Sequence, residues 1–513
     1  MGTYVAGIDI GTTGARCVIF DLKGNIIAND YHEYGATYPK PGWVEQDLDE
    51  MVNITMGVCK NAIKKAEIDP KQIASVGFST QRSCTVPIYK DGSKVRALIS
   101  WQDARTGAEV ADMGKLIDGE EYYQISGMPL GTTWNITKVL WMRKNEPELF
   151  KKTYKFVQIQ DSVLHAFGAD DFYTDIGDMA FYGIWDVANL QWSKELCDLF
   201  DVSPDMFGIP TQSGIKVAEV SASISEKTGF AIGTPIVVGA GDQNCGVVGM
   251  GSVKSGMVTV SLGTGGLVML SLDKRIPGFG GLMVTNHAKP NMWEMEGLSN
   301  NAASSYRWFR DVVGTHEKEM EKSSGRSAYE FLNDLAMQAK PGSKGLLFLP
   351  YLGTAATPRW NANARAGFIG LSFAHDRPEM TRAIMEGVAL EIRDMIDGWL
   401  KRGIEIPSLR LGGGATKSRM WNQIQADVYG RPVETLKVSE ATVLGAAILG
   451  GVGAGVFKTI TEGVDAMVQV EEKIEPNMAN HLIYEEMYQV FVNAYEGLAD
   501  KGVFDQLAKI QSE

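Results

Sequence analysis

The chain has 513 residues, 44% apolar and 22% charged, with a formal net charge of -13 and 57 glycines; this is too long for one comfortable core, and two domains of roughly 200 to 250 residues are expected. The acidic balance, with a pI near 5.2, argues against a nucleic-acid or membrane-surface partner, because the long-range field repels phosphate backbones. Five scattered cysteines (Cys17, Cys59, Cys84, Cys197, Cys245) without CxxC spacing point to buried thiols rather than disulfides or zinc. With no apolar run of ~18 residues and no room for a signal peptide, a cytoplasmic protein is expected.

The opening stretch, "GIDIGTTGARCVIFDLKG" at 7–24, reads as two apolar strands joined by a Gly-Thr turn. Asp9 stands inside that pattern, where an unpaired carboxylate costs several kcal/mol. Either it is a satisfied hairpin acid or it faces a phosphate with its metal ion. "DLDEMVNITMGVCKNAIKKAEI" (47–68) has helical apolar spacing behind an Asp-rich start, and "IASVGFST" (73–80) is a strand. "PIYKDGSKVRALISWQDART" (87–106) is expected to be a hairpin turning at Asp91-Gly92. "GTPIVVGAGDQNCGVVGMG" (233–251) is a buried strand entering a Gly-rich turn and then a helix.

A second hairpin, "VSLGTGGLVMLSLDK" from Val260 to Lys274, lays over the first without a gap, Gly263 on Gly11 and Thr264 on Thr12. Such turns let backbone N–H groups converge on an anion, with Thr hydroxyls adding donors. This predicts a duplication: domains 1–252 and 253–513, each offering one phosphate-binding hairpin to a shared cleft. Further on, 378–403 is a long helix whose apolar stripe reads as core, "LGGGAT" ends a strand in three glycines, and the segment after about residue 456 reads as packing helices.

Asp242 in "GAGDQNCG" follows a buried strand, where α/β folds gather their sites. It is a candidate general base for an attacking hydroxyl; capping the following helix is the plain alternative.

Together the two Gly-Thr hairpins, "AGFIGLSFAHDRPEMTRAIME" (366–386) and "LRLGGGATKSRMWNQIQADVYGRPV" (409–433) resemble the FGGY family of carbohydrate kinases, from about Val5 to about Phe457. The resemblance implies an α/β, two-domain actin/hexokinase-type (ribonuclease H-like) ATPase fold with an interdomain cleft. It also implies ATP and Mg²⁺, a small sugar or polyol substrate, and Asp242 as general base. Asp9, with Asp242, would hold Mg²⁺. Gly11, Thr12, Thr13 and Arg16 would flank the transferring phosphoryl group on one side, Gly263 and Thr264 on the other. Gly413, Gly414 and Asn422, with Glu440 and Gly445, would receive adenosine; a plain strand-to-helix turn is the alternative for the glycines, and a surface strand residue for Arg16.

The sugar contacts would be Arg82, Ser83, Trp101, Asp103 and Gln243. Trp101 could instead be core, and Asp103 could pair with Arg105 at a surface loop. "WQDART" is similar to glycerol kinases, but Arg82-Ser83 replaces their Arg-Glu pair and also differs from the Met-His of xylulose kinases. A xylulose-type ketose is the expected substrate, with glycerol and the quorum-signal pentanedione as rivals. An actin- or chaperone-type nucleotide-dependent assembly protein is the non-enzyme rival. Homodimers are common among such kinases, though no interface signal is read here.

Overall fold

A computed structural model describes residues 3–512. The opening hairpin folds as read, Tyr4–Ile10 against Gly14–Asp21 with Ile10 opposite Ala15. Ile26–Glu33 pairs antiparallel with the returning strand. On the other side Ile73–Thr80 lies parallel to Tyr4–Ile10, Pro235–Gly241 lies parallel to that, and Lys216–Glu219 closes the six-stranded sheet antiparallel.

The second half repeats this order strand for strand. Val258–Leu262 and Gly266–Leu272 form the hairpin, and Trp293–Ser299 pairs beyond it. Leu409–Gly412 and Val433–Leu436 run parallel on the other side, and Val470–Ile474 closes the edge antiparallel. One added edge strand, Met283–Asn286, makes seven. The duplication read from two short turns is therefore a duplication of a whole sheet. One detail differs: Leu262 lies opposite Gly266, so the second turn is a residue shorter and the ungapped correspondence slips in the returning strand.

Two cores lie against the sheets, one around Ile8, Phe78 and Ile236, the other around Val260, Met295 and Ile384. A third forms where the helix Ala441–Gly453 packs on the helix Asp242–Gly249 and on the strands Tyr4–Ile10 and Ile73–Thr80. A helix from the second half thus seals the first sheet and fixes how the cleft edges meet. A Cβ on Gly445 would stand 1.9 Å from the Cys245 carbonyl oxygen, so the helices touch backbone to backbone.

Other expectations fared unevenly. Leu48–Ala66 is helical, and Asp47 caps it by accepting from the Asp49 and Glu50 N–H groups. Arg377–Leu400 is the long helix, with Ile384, Val388, Ile392 and Met395 buried. The 87–106 hairpin is a correction. Its turn closes locally, but Val86–Ile88 pairs with Lys155–Val157, and Leu98–Ile99 pairs with Glu45–Gln46. The segment after 456 holds the helices Ile460–Met467, Met478–Asp500 and Val503–Ser512, and also the edge strand Val470–Ile474. All five cysteines are buried and free, and among the described residues no helix is long and apolar enough to cross a membrane.

Candidate active site

In the first sheet Asp9 lies opposite Ser79, and Ser79 opposite Ala240; one step on, Ile10, Thr80 and Gly241 are aligned. The Gly11 turn, Arg82 and Asp242 therefore all leave the sheet at its carboxyl edge, where parallel α/β sheets gather ligands. Ser79 Oγ donates to Asp9 Oδ1 at 2.8 Å. Burial pushes the Asp9 carboxyl up to about 7; the Asp242 and Glu440 charges push the same way, while Ser79 and Arg16 oppose. Burial and the neighbouring acids outweigh the one nearby cation, Arg16, so the site can take further positive charge, which fits a divalent cation. Among the described residues no group of three or more His, Cys, Asp or Glu side chains is arranged to hold a metal, so a cation here would rely on carboxylates together with ligand oxygens and water, the habit of Mg²⁺.

Asp242 is the first residue of its helix and Gly241 the cap, so it is not a capping residue. Its Oδ1 accepts the Gln243 N–H at 2.8 Å and meets Arg82 Nε at 3.1 Å, with the side chain 30% exposed. Burial raises its carboxyl above the ordinary range against the pull of Arg82. Arg82 in turn donates twice to Glu296, at 2.9 Å each, and stacks on the Phe181 ring at 4.4 Å. Glu296 sits on the strand Trp293–Ser299, whose end lies opposite Gly266 beside the second Gly-Thr turn.

At the second sheet's carboxyl edge Ser261 lies opposite Gly412. Gly413 has φ +80°, and a Cβ there would stand 2.5 Å from the Leu262 carbonyl oxygen, so only glycine lets this turn press on the strand leading into Gly263. A 470 Å³ cavity opens between Gly263, Thr264 and Gly414, walled by Tyr306, Tyr329 and Trp421. A neighbouring 400 Å³ cavity runs from Gly412–Gly414 to Glu440, and Glu440 accepts a hydrogen bond from Arg16, the register partner of Asp9. The two cavities share Gly414 and Lys417, and the Arg16–Glu440 pair joins the second of them to the hairpin of the Gly11 turn.

Models of the FGGY family of carbohydrate kinases, N-terminal and C-terminal domain, match residues 4–249 and 258–454. The chain belongs to the FGGY family of carbohydrate kinases. It is 29% identical over 493 residues to a xylulose kinase of Staphylococcus epidermidis (96% of each chain), and 30% identical over 497 residues to a glycerol kinase of Nitratidesulfovibrio vulgaris (93% of this chain, 95% of the other). A ligand-bound xylulose kinase of Lactobacillus acidophilus superposes with a TM-score of 0.88 at 24% identity, covering 97% of this chain and 98% of that one. The fold is accordingly the two-domain actin/hexokinase-like ATPase fold. The enzyme is a phosphotransferase with an alcohol acceptor on a small-molecule sugar, in a family whose phosphate donor is ATP.

Several residues expected in this kinase's site lie elsewhere. Asp103 is buried, with both oxygens taken by Arg105 (2.8 and 2.7 Å) and by the Val44 N–H at 2.6 Å; it is structural, though in the interior rather than on a surface loop. Ser83 is buried with φ +63°; its hydroxyl donates to the Thr133 carbonyl at 2.7 Å, and its own carbonyl accepts from the fully buried Lys138 at 2.6 Å. Asn422 braces the glycine turn by donating to the Thr416 carbonyl at 2.8 Å and does not line the cavity. Gly445 is a helix contact, not a pocket wall. Trp101 is not core: it is 40% exposed, and its Nε1 donates to Thr12 Oγ1 at 3.1 Å. Gln243 stays half-buried beside Asp242, and Thr13 and Thr264 are exposed at their turns. The sequence reading missed Glu296, whose signal was the alternation of acids in the strand "WEMEGLS", and Tyr306 and Tyr329 of the cavity wall, which carry no motif.

Proposed function

We propose that this kinase transfers the γ-phosphoryl group of ATP directly to a primary hydroxyl of a small ketose of the xylulose type, with Asp242 accepting the hydroxyl proton. The observation that carries the reading is the placement of Asp242. It stands on the same sheet edge as Asp9 and the Gly11 turn, partly open to the cleft, and is held by an arginine that the second half of the chain grips. A base must lie within hydrogen-bond reach of the proton it takes, and geometry precedes pKa in judging it. Gly11, Thr12, Thr13 and Arg16 flank the phosphoryl group from one side and Gly263 and Thr264 from the other, while Gly413 and Gly414 let adenosine approach the backbone. Asp9 and Asp242 would hold Mg²⁺, which neutralises charge on the phosphate oxygens. Arg82, Trp101 and Gln243 form the sugar side; Ser83 and Asp103 support it from behind.

A glycerol-type polyol is the second reading, favoured by the retained arginine and by the similarity to a glycerol kinase. Against it, Ser83 stands where an acidic acceptor would, and its hydroxyl is spent on Thr133. A coupled assay of ADP release over a panel of ketoses and polyols separates the two. The proposal expects the highest kcat/KM on a xylulose-type ketose, and sugar-independent ADP release or a preference for glycerol would overturn it.

A further inference from the structure

The Gly11 turn is gripped by its carbonyl oxygens. The Tyr34 hydroxyl donates to the Gly11 carbonyl. Gln46 Nε2 donates to the Thr12 carbonyl at 2.9 Å, and the Tyr34 N–H to the Thr13 carbonyl at 3.1 Å. Gln46 is 2% exposed, and Gln81 Nε2 fixes its orientation by donating to Gln46 Oε1 at 2.9 Å. Gln81 is tied in turn to the first strand, its N–H donating to the Ile10 carbonyl at 2.8 Å.

In a trans peptide unit the C=O and the following N–H point in opposite directions. Drawing the Gly11 and Thr12 carbonyls back toward Tyr34 and Gln46 therefore turns the Thr12 and Thr13 N–H groups the other way. Among the described residues neither N–H finds a hydrogen-bond acceptor. Trp101 Nε1 occupies a lone pair of Thr12 Oγ1, which leaves the hydroxyl proton free to be donated. Fixed, convergent donors of this kind stabilise developing negative charge without reorganising during the reaction.

We infer that Gln46 and Tyr34 are positioning residues for phosphoryl transfer, which hold the turn by its carbonyls so that the Thr12 and Thr13 N–H groups are aimed at the terminal phosphates. The inference rests on the reading that this turn holds phosphate. Neither residue touches substrate; each acts through the peptide unit it holds.

The test uses Gln46→Met, which keeps length without the donor, and Tyr34→Phe, which removes only the hydroxyl, so that one variant remains should the other fail to fold. Calorimetric affinities for AMP and for the imido analogue of ATP are compared, together with kcat and both KM values. The expected result for either variant is about a tenfold weaker affinity for the ATP analogue, the loss of roughly one buried hydrogen bond, with a lower kcat but unchanged AMP affinity and sugar KM. Equal weakening of AMP and the analogue, or no weakening of the analogue, overturns the inference. Thr13→Glu tests the underlying reading separately: a charge at this exposed position should abolish turnover in a folded protein, and retained turnover would remove phosphate from the turn altogether.

Discussion

Arg82 and Glu296 face each other through two hydrogen bonds of 2.9 Å, one residue from each sheet-bearing half of the chain. The same guanidinium turns Nε toward Asp242 at 3.1 Å. The guanidinium that links the halves is thus also the one that holds the residue proposed to take the substrate proton.

Removing one partner of a buried ion pair leaves the other charge uncompensated, at a cost of about 3 to 5 kcal/mol. Glu296→Gln is expected near the lower end, about 3 kcal/mol, because Arg82 keeps Asp242. Denaturant unfolding measures this, and an unchanged midpoint would show that the clamp adds nothing to stability.

Arg16 and Glu440 form a different kind of pair, each side chain 32% exposed. Exposed pairs contribute at most about 1 kcal/mol, so Arg16→Ala should leave the melting temperature nearly unchanged. If Arg16 flanks the transferring phosphoryl group, kcat should still fall about a hundredfold, as when one preorganised donor to a transition-state oxyanion is lost. A matching small effect on kcat would return Arg16 to the surface-strand alternative.

What was legible in the sequence followed from local rules. The Gly-Thr turns and the strands beside them announce themselves because their glycines and apolar runs are contiguous. From two such turns the duplicated sheet could be read, though not the one-residue slip, which depends on cross-strand register. Long-range partners were not legible. Asp103 looked like a site acid because nothing nearby in sequence shows the Val44 N–H, and Arg105 lies only two residues away in either reading. Gly445 looked like a pocket glycine because the helix it meets, at Cys245, is 200 residues earlier. Val470–Ile474 was overlooked because an edge strand with mostly exposed side chains lacks the buried apolar pattern of a central one.

The Gly445 contact makes its own prediction. With the Cys245 carbonyl oxygen 1.9 Å from an added Cβ, Gly445→Ala must push the two helices apart, at an overpacking cost of about 1 to 3 kcal/mol. Thermal unfolding should show a lowered midpoint; a stabilised variant, as helix propensity alone would give, contradicts the close contact.

His287 predicts a pH dependence. It is fully buried, its Nε2 lies 2.9 Å from the Ser252 carbonyl, and its Nδ1 accepts from the Lys289 N–H at 2.8 Å. Burial holds its pKa down at about 4, so between the ordinary value of about 6.5 and pH 4 the unfolded chain takes a proton that the folded one refuses. Its contribution is full above pH 6.5 and is lost progressively toward pH 4, by up to about 3 kcal/mol. Burial raises the carboxyl of Glu294, 3.5 Å away, above its ordinary range, so it contributes with the opposite sign, and the comparison is therefore with His287→Gln. The wild-type stability should fall more steeply than the variant's over this window, and parallel profiles would refute the assignment.

The central claim is that one carboxylate in the shared cleft takes the proton of the attacking hydroxyl, and turnover of Asp242→Asn tests it most directly. The substitution keeps the shape and the contact with Gln243 while removing the base, whose loss costs about 10² to 10⁴ in rate. The account predicts a folded enzyme that binds ATP with near-normal affinity and loses turnover by that factor. Turnover within a few-fold of the unsubstituted enzyme would contradict it.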